Sequence, residues 1–569
     1  MQKAVARAGE PVIRKAVGQA MRIMSRQFVM GRDIGDAIAR GRGGEAKGER
    51  YSFDMLGEAA LTKGDAECYF ETYRAAIEAV GDTVDDATGV FEAPSISVKL
   101  SALHPRFEFA KSARLRDELA PRLGALAELA KKQGIGLTLD AEEAVRLEPL
   151  LDMFQAVYQS PAAENWTGFG LVVQAYQKRA PAVIDWLADL ARETGRRIPL
   201  RLVKGAYWDS EIKRAQEQGL DGYPVFTRKA ATDVCYIACA RQLLNWRALF
   251  YPQFATHNAR TIATVAELAG TDSDFEFQRL HGMGEGLYHA LGEESLPRVP
   301  CGVYSPVGAH KDLLPYLVRR LLENGANTSF VNRIADDAAP IEDVIRNPIE
   351  LLESAPYEPR PGIPLPSRMF APERVNSAGI DLSDCASAAP LCAAIEQALT
   401  EDRVARPIVA GEEQGGTPIP VRDPGDQRCT VGTVMEAGES AIQQALASAN
   451  GAHSNWSESG VEMRAEALDK YAELLEQNRA QAMAMCIREA GKTIPDALAE
   501  VREAVDFARY YAQRASIDFT APIRLPGPTG EDNTIALASR GVFACISPWK
   551  FSSLSSVARY WRHSLRATR

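Results

Sequence analysis

Eight short runs rich in β-forming residues recur between residues 50 and 310, separated by longer helical stretches. They begin at residues 51, 95, 136, 168, 199, 252, 274 and 298. Strands that alternate with helices predict a parallel sheet, because two parallel strands need a long crossover between them. Eight such units predict an α/β fold with a closed (β/α)8 barrel, which we place in residues 1–340.

Polar side chains come late in these runs, whereas the starts of the runs contain fewer of them. In a barrel the carboxyl ends of the strands meet at one face, which is where barrel enzymes act on their substrates. Polar layers inside the barrel would explain a few of these residues, but a buried Lys and Asp need partners. We therefore expect a functional site at the carboxyl end. The residues concerned are Lys99, Asp140, Gln174, Lys204, Thr256, His257, Gln278 and Tyr304.

The chain after the predicted barrel changes composition twice. Residues 341–395 are rich in proline, which resists helix and sheet and predicts an extended linker. Residues 396–549 open with strand-like segments and continue into a long helical region, which predicts a second unit. Residues 550–569 are basic, and no acidic residue follows Asp532. A basic amphipathic tail for a membrane surface is one interpretation of this last stretch.

The net charge, the cysteine pattern and the hydropathy of the chain indicate which kinds of partner it binds and where in the cell it lies. A net charge of -10 and a pI near 5.5 argue against nucleic acid, because phosphate binding needs clustered Lys and Arg. The nine cysteines form no C-x-x-C pair, so we expect reduced thiols and no structural metal. No apolar run is long enough to cross a membrane. We therefore expect a cytoplasmic protein, at most peripheral to the inner face of the cell membrane.

The stretch RLVKGAYWDSEIKRAQ, residues 201–216, places cations on a strand and small residues at its exit. Arg201 and Lys204 would neutralise phosphates, and Gly205 and Ala206 would let a flat or anionic group approach the backbone. Trp208 would either stack on a ring or cap the barrel.

A second cationic stretch, VFTRKAATDV, adds Thr227, Arg228 and Lys229 just before a helical segment. A hydroxyl, cations and a helix N-terminus together favour a phosphate. HGMGEG at residues 281–286 has the wrong glycine spacing for a dinucleotide-binding loop, and we interpret it as a turn. A dinucleotide would therefore bind at the mouth of the barrel.

Paired arginines stand in the apolar run LVRRLLENGAN, residues 317–327. The apolar residues recur with the spacing of a helix that faces a core, so Arg319 and Arg320 flank a buried face. One interpretation is that Arg319 pairs with Glu323 one turn later, while Arg320 stays solvated. The other is a fork that grips a planar anion such as a carboxylate.

Six motifs follow one another as SVKLSALHPR, DAEEA, VVQAYQKR, RLVKGAYWDSEIKRAQ, FATHN and YLVRRLLENGANTSFVNR. In that order they resemble the proline dehydrogenase barrel of bacterial proline utilization A proteins, over about residues 8–340. The resemblance implies an FAD-dependent enzyme that oxidises L-proline to 1-pyrroline-5-carboxylate by hydride transfer to flavin N5. It also implies that the electrons pass to a membrane quinone.

The resemblance implies roles for residues at matching positions. Lys99 would lie near substrate and flavin, Asp140 would lie close to the substrate, and Tyr304 would wall the proline pocket. Arg319 and Arg320 would bind the substrate carboxylate. The implied FAD contacts are Val172, Gln174, Arg201, Lys204, Gly205, Ala206, Trp208, Thr227, Arg228, Lys229, Thr256, His257, Asn258 and Gln278.

The second unit resembles the start of an aldehyde dehydrogenase in REAGKT, EVREAVDFARYYA, GPTGEDN and RGVFACISPWK. That family has an asparagine where Lys550 stands, and then supplies an NAD-binding domain and a catalytic cysteine. We expect NAD in the full-length family and not in this chain. The tail FSSLSSVARYWRHSLRATR fits no part of that family, so we hypothesise a frameshifted or truncated product. Translating the neighbouring reading frame of the gene would test this hypothesis.

Three functional hypotheses follow from the sequence. The first is an FAD-dependent proline dehydrogenase that reduces a quinone, for which an oligomer is possible. The second is a compromised remnant that binds flavin or proline without turnover. The third, which we disfavour, is a working pyrroline-5-carboxylate dehydrogenase. Flavin absorbance and proline-dependent dye reduction separate the first two, and NAD reduction by pyrroline-5-carboxylate would revive the third.

Overall fold

The protein is seen in a computed structural model that describes residues 27–45, 48–85, 87–293, 299–308, 316, 345–354, 360, 362–537 and 540–545. The chain divides into two compact units. The first comprises Met1–Ile212 with Pro224–Arg360, and the second comprises Lys213–Tyr223 with Pro361–Arg569.

Eight parallel strands close into a barrel in the first unit, and their spatial order is their order along the chain. Strands β1 and β8 complete the ring, with Phe53 opposite Ser305. Each predicted run overlaps one strand, so the predicted (β/α)8 barrel is confirmed. The strands are β1 (Glu49–Met55), β2 (Ser95–Val98), β3 (Gly136–Leu139), β4 (Phe169–Gln174), β5 (Ile198–Val203), β6 (Phe250–Ala255), β7 (Glu276–Leu280) and β8 (Cys301–Val307).

Helices precede, separate and follow these strands along the chain. Local capping fixes where some of them begin: the Thr62 hydroxyl accepts from Asp65 N at 3.1 Å, and the Asp65 carboxylate accepts from Thr62 N at 2.8 Å. The helices are α1 (Ile34–Glu45), α2 (Lys63–Gly81), α3 (Leu100–Leu103), α4 (Ser112–Glu118), α5 (Ala120–Lys132), α6 (Leu147–Tyr158), α7 (Ala180–Thr194), α8 (Trp208–Gln218), α9 (Lys229–Asn245), α10 (Ala259–Ala269), α11 (Glu285–Glu293) and α12 (Pro348–Glu353).

The barrel strands are buried along most of their length. Every residue of β3 and β4 is buried, and the side chains of Ile96, Leu137 and Leu200 are fully covered. Near-continuous burial is typical of parallel strands that are covered on both faces. A charged or polar side chain on such a strand therefore needs a partner inside the barrel.

Residues 341–395, which the composition predicts as an extended linker, contain helical structure. Helix α12 and most of α13 (Cys385–Ala398) lie within this segment. The expectation that the segment resists helix was wrong for these two stretches, because most of the prolines lie between them and capping residues begin each helix. The Asn347 side chain caps α12, and the Asp384 side chain caps α13.

The second unit contains the strand-like segments and the long helical region that the sequence predicts. Strands Thr417–Arg422, Thr430–Glu436 and Val404–Ala405 form a three-stranded sheet, and a helical core includes Ala472 and Val501. Its elements are β9 (Val404–Ala405), β10 (Ile408–Val409), β11 (Glu412–Glu413), β12 (Thr417–Arg422), β13 (Thr430–Glu436), α14 (Glu439–Glu458), α15 (Val461–Gln477), α16 (Arg479–Ala490), α17 (Ile494–Asp518), β14 (Ile523–Leu525) and β15 (Asn533–Ile535).

The described parts of the chain hold no membrane-spanning helix, no metal-binding cluster and no disulfide bond. None of the helices described there combines the length and the apolar character that crossing a membrane requires. The same residues hold no group of three or more His, Cys, Asp or Glu side chains placed to bind a metal ion. All nine cysteines are free thiols.

Candidate active site

A cavity of about 340 Å³ opens at the carboxyl end of the barrel. Side chains at or just after the strand ends line it, and its volume lies in the range of small-molecule pockets. The strand order brings together side chains that are far apart in the sequence. The predicted site residues that line the cavity are Lys99, Asp140, Val172, Gln174, Arg201, Lys204, Gly205, Ala206, Lys229, Thr256, His257, Asn258, Gln278 and Tyr304.

Lys99 is the centre of a buried polar cluster at the wall of this cavity. Its Nζ donates to Asp54 Oδ1 at 2.8 Å, to Asp140 Oδ2 at 3.2 Å and to the Tyr304 hydroxyl at 3.3 Å. The Tyr304 hydroxyl in turn donates to Asp140 Oδ2 at 2.6 Å. An ammonium group has three N–H donors, and these three acceptors use all of them. Lys99 therefore fixes two acids and a phenol in one place.

Arg201 holds the other oxygen of Asp140. Its Nη1 donates to Asp140 Oδ1 and to Ser97 Oγ, both at 3.0 Å, and its Nη2 donates to Ser52 Oγ at 2.9 Å. The guanidinium carbon also lies 5.2 Å from the centre of the Tyr304 ring, within the range of a cation–π contact. Both carboxylate oxygens of Asp140 are thus hydrogen-bonded, and the Tyr304 ring is held at its face as well as at its hydroxyl.

Burial and neighbouring charges shift pKa values in this cluster. Burial raises the pKa of Asp54, although Lys99 opposes the rise. Burial alone would lower the pKa of Lys99, but Asp54, Tyr304 and Asp140 outweigh it and raise that pKa well above its usual value. Burial also raises the pKa of the Tyr304 phenol, as does the carboxylate of Asp140. Lys99 therefore stays charged and Tyr304 stays a donor at neutral pH.

A second cationic group lines the cavity after strand β5. Lys204 pairs with Asp233, which also accepts from Lys229 Nζ at 2.8 Å. Burial lowers the pKa of Lys204, and Asp233 opposes this shift. Two lysines share one carboxylate, so the group retains positive charge that suits an anion such as phosphate. Lys229 is also the first residue of α9, which matches the expected helix start.

Gly205 follows Lys204 in a backbone conformation that favours glycine, with a φ of +132°. A Cβ at this position would lie 2.5 Å from the Tyr176 ring. The sequence predicted that a small residue here lets a flat or anionic group approach. The structure adds a reason within the protein, since both the φ angle and the Tyr176 ring require glycine.

The loop after β6 is held by hydrogen bonds among the residues that were expected to contact FAD. The Asn258 side chain accepts from Thr261 N at 2.9 Å and so caps α10. Thr256 Oγ1 accepts from Asn258 N at 3.2 Å. His257 Nε2 accepts from Leu280 N at 3.0 Å, which places the proton of the neutral ring on Nδ1. These bonds order the loop at the cavity wall.

Two glutamine side chains line the cavity with their amide nitrogens engaged. Gln174 Nε2 donates to Glu142 O at 2.8 Å, and Gln278 Nε2 donates to Glu276 Oε1 at 2.6 Å. Gln278 Oε1 is buried and accepts no hydrogen bond from any residue that the structure describes. This oxygen is therefore an acceptor for an N–H donor of a ligand.

Three implied FAD contacts lie outside the described lining of the cavity. Trp208 begins α8 and donates from Nε1 to Phe226 O at 2.8 Å. Thr227 Oγ1 accepts from Arg360 N at 3.4 Å. Arg228 immediately precedes α9. Their assignment to FAD stays a prediction that follows from the resemblance.

The paired arginines fall outside the described residues. Arg319 and Arg320 belong to this gap, as does Glu323, so the carboxylate fork and the alternative pairing both stay predictions. Tyr316, three residues before the pair, is described: it is buried and lines the cavity.

Sequence reasoning missed four polar residues that build the site, namely Ser52, Asp54, Ser97 and Asp233. Ser52 and Asp54 lie two residues apart on β1, so both project to the same side of the strand. The available signal was an acidic residue next to the end of a buried strand, in YSFDM. Ser97 and Asp233 have no such signal, because the partners that explain them are on other strands and helices.

Comparison with known families matches each of the two parts of the chain to a family model. A family model described as proline dehydrogenase matches residues 37–333, which is more than half of the chain. A model described as aldehyde dehydrogenase family matches residues 410–562. The second match extends beyond residue 549, where the sequence suggested a separate tail.

Individual relatives show the same pattern. Bifunctional protein PutA of Salmonella typhimurium is 47% identical over 564 residues, which cover 97% of this chain and 42% of that protein. Proline dehydrogenase 1 of Bacillus subtilis is 28% identical over 316 residues, which cover 54% of this chain and 90% of that protein. A crystal structure of a Bradyrhizobium japonicum proline utilization A mutant aligns with a TM-score of 0.85 and 44% identity, over 99% of this chain and 54% of that one. The chain therefore spans less than half the length of the curated PutA relative.

Proposed function

The chain belongs to the proline dehydrogenase family, and we propose that its barrel oxidises L-proline to 1-pyrroline-5-carboxylate with FAD as the hydride acceptor. The observation that carries this proposal is the buried cluster in which Lys99 binds Asp54, Asp140 and Tyr304 beside the cavity. The proposal concerns the barrel, because the PutA relative is more than twice as long as this chain.

The reaction sets what the protein has to do. Proline loses a hydride from a ring carbon and a proton from the ring nitrogen, and the bond between these two atoms becomes a C=N double bond. When bound, FAD accepts the hydride at N5. The protein must therefore hold the substrate ring in one orientation, neutralise its carboxylate and exclude water from the reacting atoms.

Tyr304 and Asp140 are the groups that we assign to the substrate. The Tyr304 ring is fixed by the hydrogen bond to Asp140 and by the Arg201 guanidinium at its face. A wall fixed in this way restricts the orientations of a small ring next to it. Asp140 accepts from Lys99, Tyr304 and Arg201, so its carboxylate is preorganised before substrate binds.

The residues that line the cavity fit FAD in charge and in hydrogen-bonding capacity. Lys204 and Lys229 share Asp233, which leaves positive charge for the pyrophosphate. Gln278 Oε1, which accepts no hydrogen bond within the described structure, suits an N–H group of the isoalloxazine. Cations beside an isoalloxazine favour its reduced, anionic form, so hydride acceptance becomes easier.

The substrate carboxylate requires a separate group of cations. We assign it to Arg319 and Arg320, as the resemblance implies, because two guanidinium groups match the planar carboxylate. Tyr316 lies just before this pair and lines the cavity, which supports the assignment of the segment to the site.

We assign a quinone as the final electron acceptor, as the resemblance implies. Because quinones are dissolved in lipid, we also assign a peripheral contact at the inner face of the cell membrane. The test is proline-dependent reduction of ubiquinone held in lipid vesicles. Reduction in vesicles is expected, whereas reduction of soluble dyes alone would contradict the assignment of the quinone.

The proposed reaction is tested on the full purified chain. The bound cofactor is released and identified, and L-proline-dependent reduction of a soluble quinone analogue is compared with the amount of pyrroline-5-carboxylate trapped by o-aminobenzaldehyde. We expect FAD as the cofactor and equal amounts of product and reduced quinone. FAD without product would instead support the remnant that binds without turnover.

The cofactor site is tested by Lys204→Met. Removal of this partly buried ammonium group leaves Asp233 with one fewer cation and reduces the charge available to phosphate, so we expect the FAD content of the purified chain to fall. The matched control is Lys213→Met, since Lys213 has 76% of its side chain exposed. Equal FAD content in the two variants would contradict the assigned phosphate site.

A further inference from the structure

Asp54 is a buried carboxyl group to which the sequence assigned no role. It is the penultimate residue of β1 and is 0% exposed. Its Oδ1 accepts from Lys99 Nζ at 2.8 Å, and none of the described residues donates a hydrogen bond to its Oδ2. Burying a carboxyl oxygen without a donor is costly, because water no longer hydrogen-bonds to it. Packing alone does not explain an acid at this position.

Lys99 links Asp54 to the rest of the site. Of the three acceptors around its Nζ, Asp54 is the closest, at 2.8 Å, followed by Asp140 and Tyr304. Arg201, the other cation of the cluster, directs its hydrogen bonds to Asp140 and to two serines. The Asp54 charge also raises the pKa of Tyr304 directly. The hydrogen bonds that connect Asp54 to Asp140 and Tyr304, however, run through the Lys99 ammonium group.

We propose that Asp54 is a positioning residue, which holds the Lys99 ammonium group at the carboxyl end of the barrel so that Lys99 keeps Asp140 and Tyr304 in place. This inference rests on the proposed function, because Asp140 and Tyr304 are the groups assigned to the substrate. Asp54 contributes to the lining of the cavity but is 0% exposed, so we assign its role to Lys99 rather than to the substrate.

The charge balance around Lys99 explains why Asp54 is needed. The burial of Lys99 favours its neutral form, and Asp54 provides the first of the attractions that outweigh burial. Without the charge of Asp54, Lys99 would depend on Asp140, which it shares with Arg201. The neutral amine would then form at lower pH. The groups that face Lys99 are Asp54 on β1, Tyr73 on α2, Asp140 after β3, Arg201 on β5 and Tyr304 on β8.

Asp54→Asn keeps the size of the side chain and removes its charge. Cyanate carbamylates neutral amines, so peptide mass spectrometry of the treated full chain reports the neutral fraction of Lys99, with exposed Lys213 as the internal reference. At about pH 9 we expect Lys99 to react at least about tenfold faster, relative to Lys213, than in the unchanged chain. This measurement does not depend on proline oxidation.

Two further variants distinguish an effect of the Asp54 charge from an effect of cyanate access to Lys99. Glu500→Gln is the matched control, because Glu500 is a buried carboxyl group that pairs with Lys492 in the second unit, and it should leave Lys99 reactivity unchanged. Asp54→Ala removes both charge and volume. Similar acceleration in Asp54→Asn and Asp54→Ala supports an effect of charge, whereas acceleration in Asp54→Ala alone would mean that cyanate merely gains access, and would overturn the proposal.

The kinetic consequence is a change in the pH profile. In Asp54→Asn the alkaline limb of kcat/KM for L-proline should move to lower pH by about one unit or more, with unchanged FAD content. Unchanged Lys99 reactivity in an Asp54→Asn chain overturns the positioning role, even where the unchanged chain oxidises proline. Failure of the unchanged chain to oxidise proline overturns the proposed function instead, and the cyanate result then still decides whether Asp54 controls Lys99.

Discussion

The carboxyl end and the amino end of the barrel both bury charged side chains, yet they differ in the space beside those charges. The cavity at the carboxyl end has a volume of about 340 Å³, whereas the cavity at the amino end has about 30 Å³. The first suits a small-molecule ligand, and the second suits a buried water molecule. Buried charge alone therefore does not mark a ligand site; buried charge beside space for a ligand does.

The cluster at the amino end is built around Glu276. Gln253 Nε2 donates to its Oε1 at 2.9 Å, and Arg50 Nη1 lies 3.5 Å from its Oε2. Arg50 also donates to the Tyr251 hydroxyl at 3.0 Å, and the Tyr251 ring stacks on Phe91 with centroids 4.1 Å apart. Gln253 Oε1 is buried and accepts no hydrogen bond within the described structure, but the cavity beside it is too small for more than a water molecule. We therefore expect these groups to contribute to stability rather than to ligand binding.

The largest expected effect is at the carboxyl end, in Lys99→Met. Loss of the ammonium leaves Asp54 and Asp140 without their shared donor, and breaking a buried charge pair costs about 3–5 kcal/mol. If part of this cost falls on the transition state, kcat/KM for L-proline drops by about 10²- to 10³-fold. Steady-state kinetics at matched FAD content measure the drop. The control Lys213→Met should keep its rate, and a Lys99→Met chain of ordinary activity would contradict the assigned role.

Arg50→Met should show the opposite pattern at the amino end. It removes the cation beside Glu276 Oε2 and the donor to the Tyr251 hydroxyl, and an unsatisfied buried group costs about 1–3 kcal/mol. We expect a lower melting temperature, followed by flavin fluorescence, with kcat/KM for L-proline close to that of the unchanged chain. Lost activity at unchanged stability would break the distinction between the two ends.

Glycine substitutions compare a strained position at the carboxyl end with an ordinary helical one. Gly205→Ala places a methyl group 2.5 Å from the Tyr176 ring at a φ of +132°, so we expect a loss of about 1–3 kcal/mol and weaker FAD retention. Gly124→Ala lies inside α5, where the nearest atom would be 3.9 Å away, and should stabilise by about 0.5–1 kcal/mol. Thermal melts of both variants measure the contrast, and destabilisation of equal size would refute it.

The smallest expected effect is a pH dependence at the amino end. Burial raises the pKa of Glu276 above its ordinary value of 4.5, although Gln278 and Arg50 oppose the rise. The stability that this group contributes is therefore complete below about 4.5 and is lost as the pH rises through the raised pKa. The Gln side chain in Glu276→Gln carries no titrating proton, so the stability of this variant does not change through this group. The free energy of unfolding of the variant, which we expect to be lower than that of the unchanged chain, should therefore approach the value of the unchanged chain as the pH rises. A deficit that grows with pH would show a lowered pKa instead.

The sequence predicted the barrel because each run is an independent local signal. Eight β-rich runs with intervening helices are compatible with few chain topologies. In a closed barrel, residues that come late in the runs, such as Lys99 and Asp140, must meet at the carboxyl end. The expectation that the starts of the runs are poor in polar residues was less accurate. Arg50 and Glu276 lie at the starts of β1 and β7, where a buried charge is satisfied by neighbouring strands.

The partners within the site could not be predicted from the sequence. Asp54 on β1 meets Lys99 after β2, and Arg201 on β5 reaches Ser52 on β1, across the interior of the closed barrel. These pairings depend on the tilt and stagger of the strands, which spacing along the chain does not reveal. The roles assigned to Arg319 and Arg320 come from resemblance and stay predictions.

The most direct test asks whether the carboxyl-end cavity holds FAD and proline together. The purified full chain is mixed with L-proline without oxygen, and the flavin absorbance is followed in a stopped-flow instrument. We predict that the flavin absorbance bleaches and that each bound FAD yields about one pyrroline-5-carboxylate. A chain that retains FAD but keeps its oxidised spectrum in the presence of proline would contradict the assignment of this cavity.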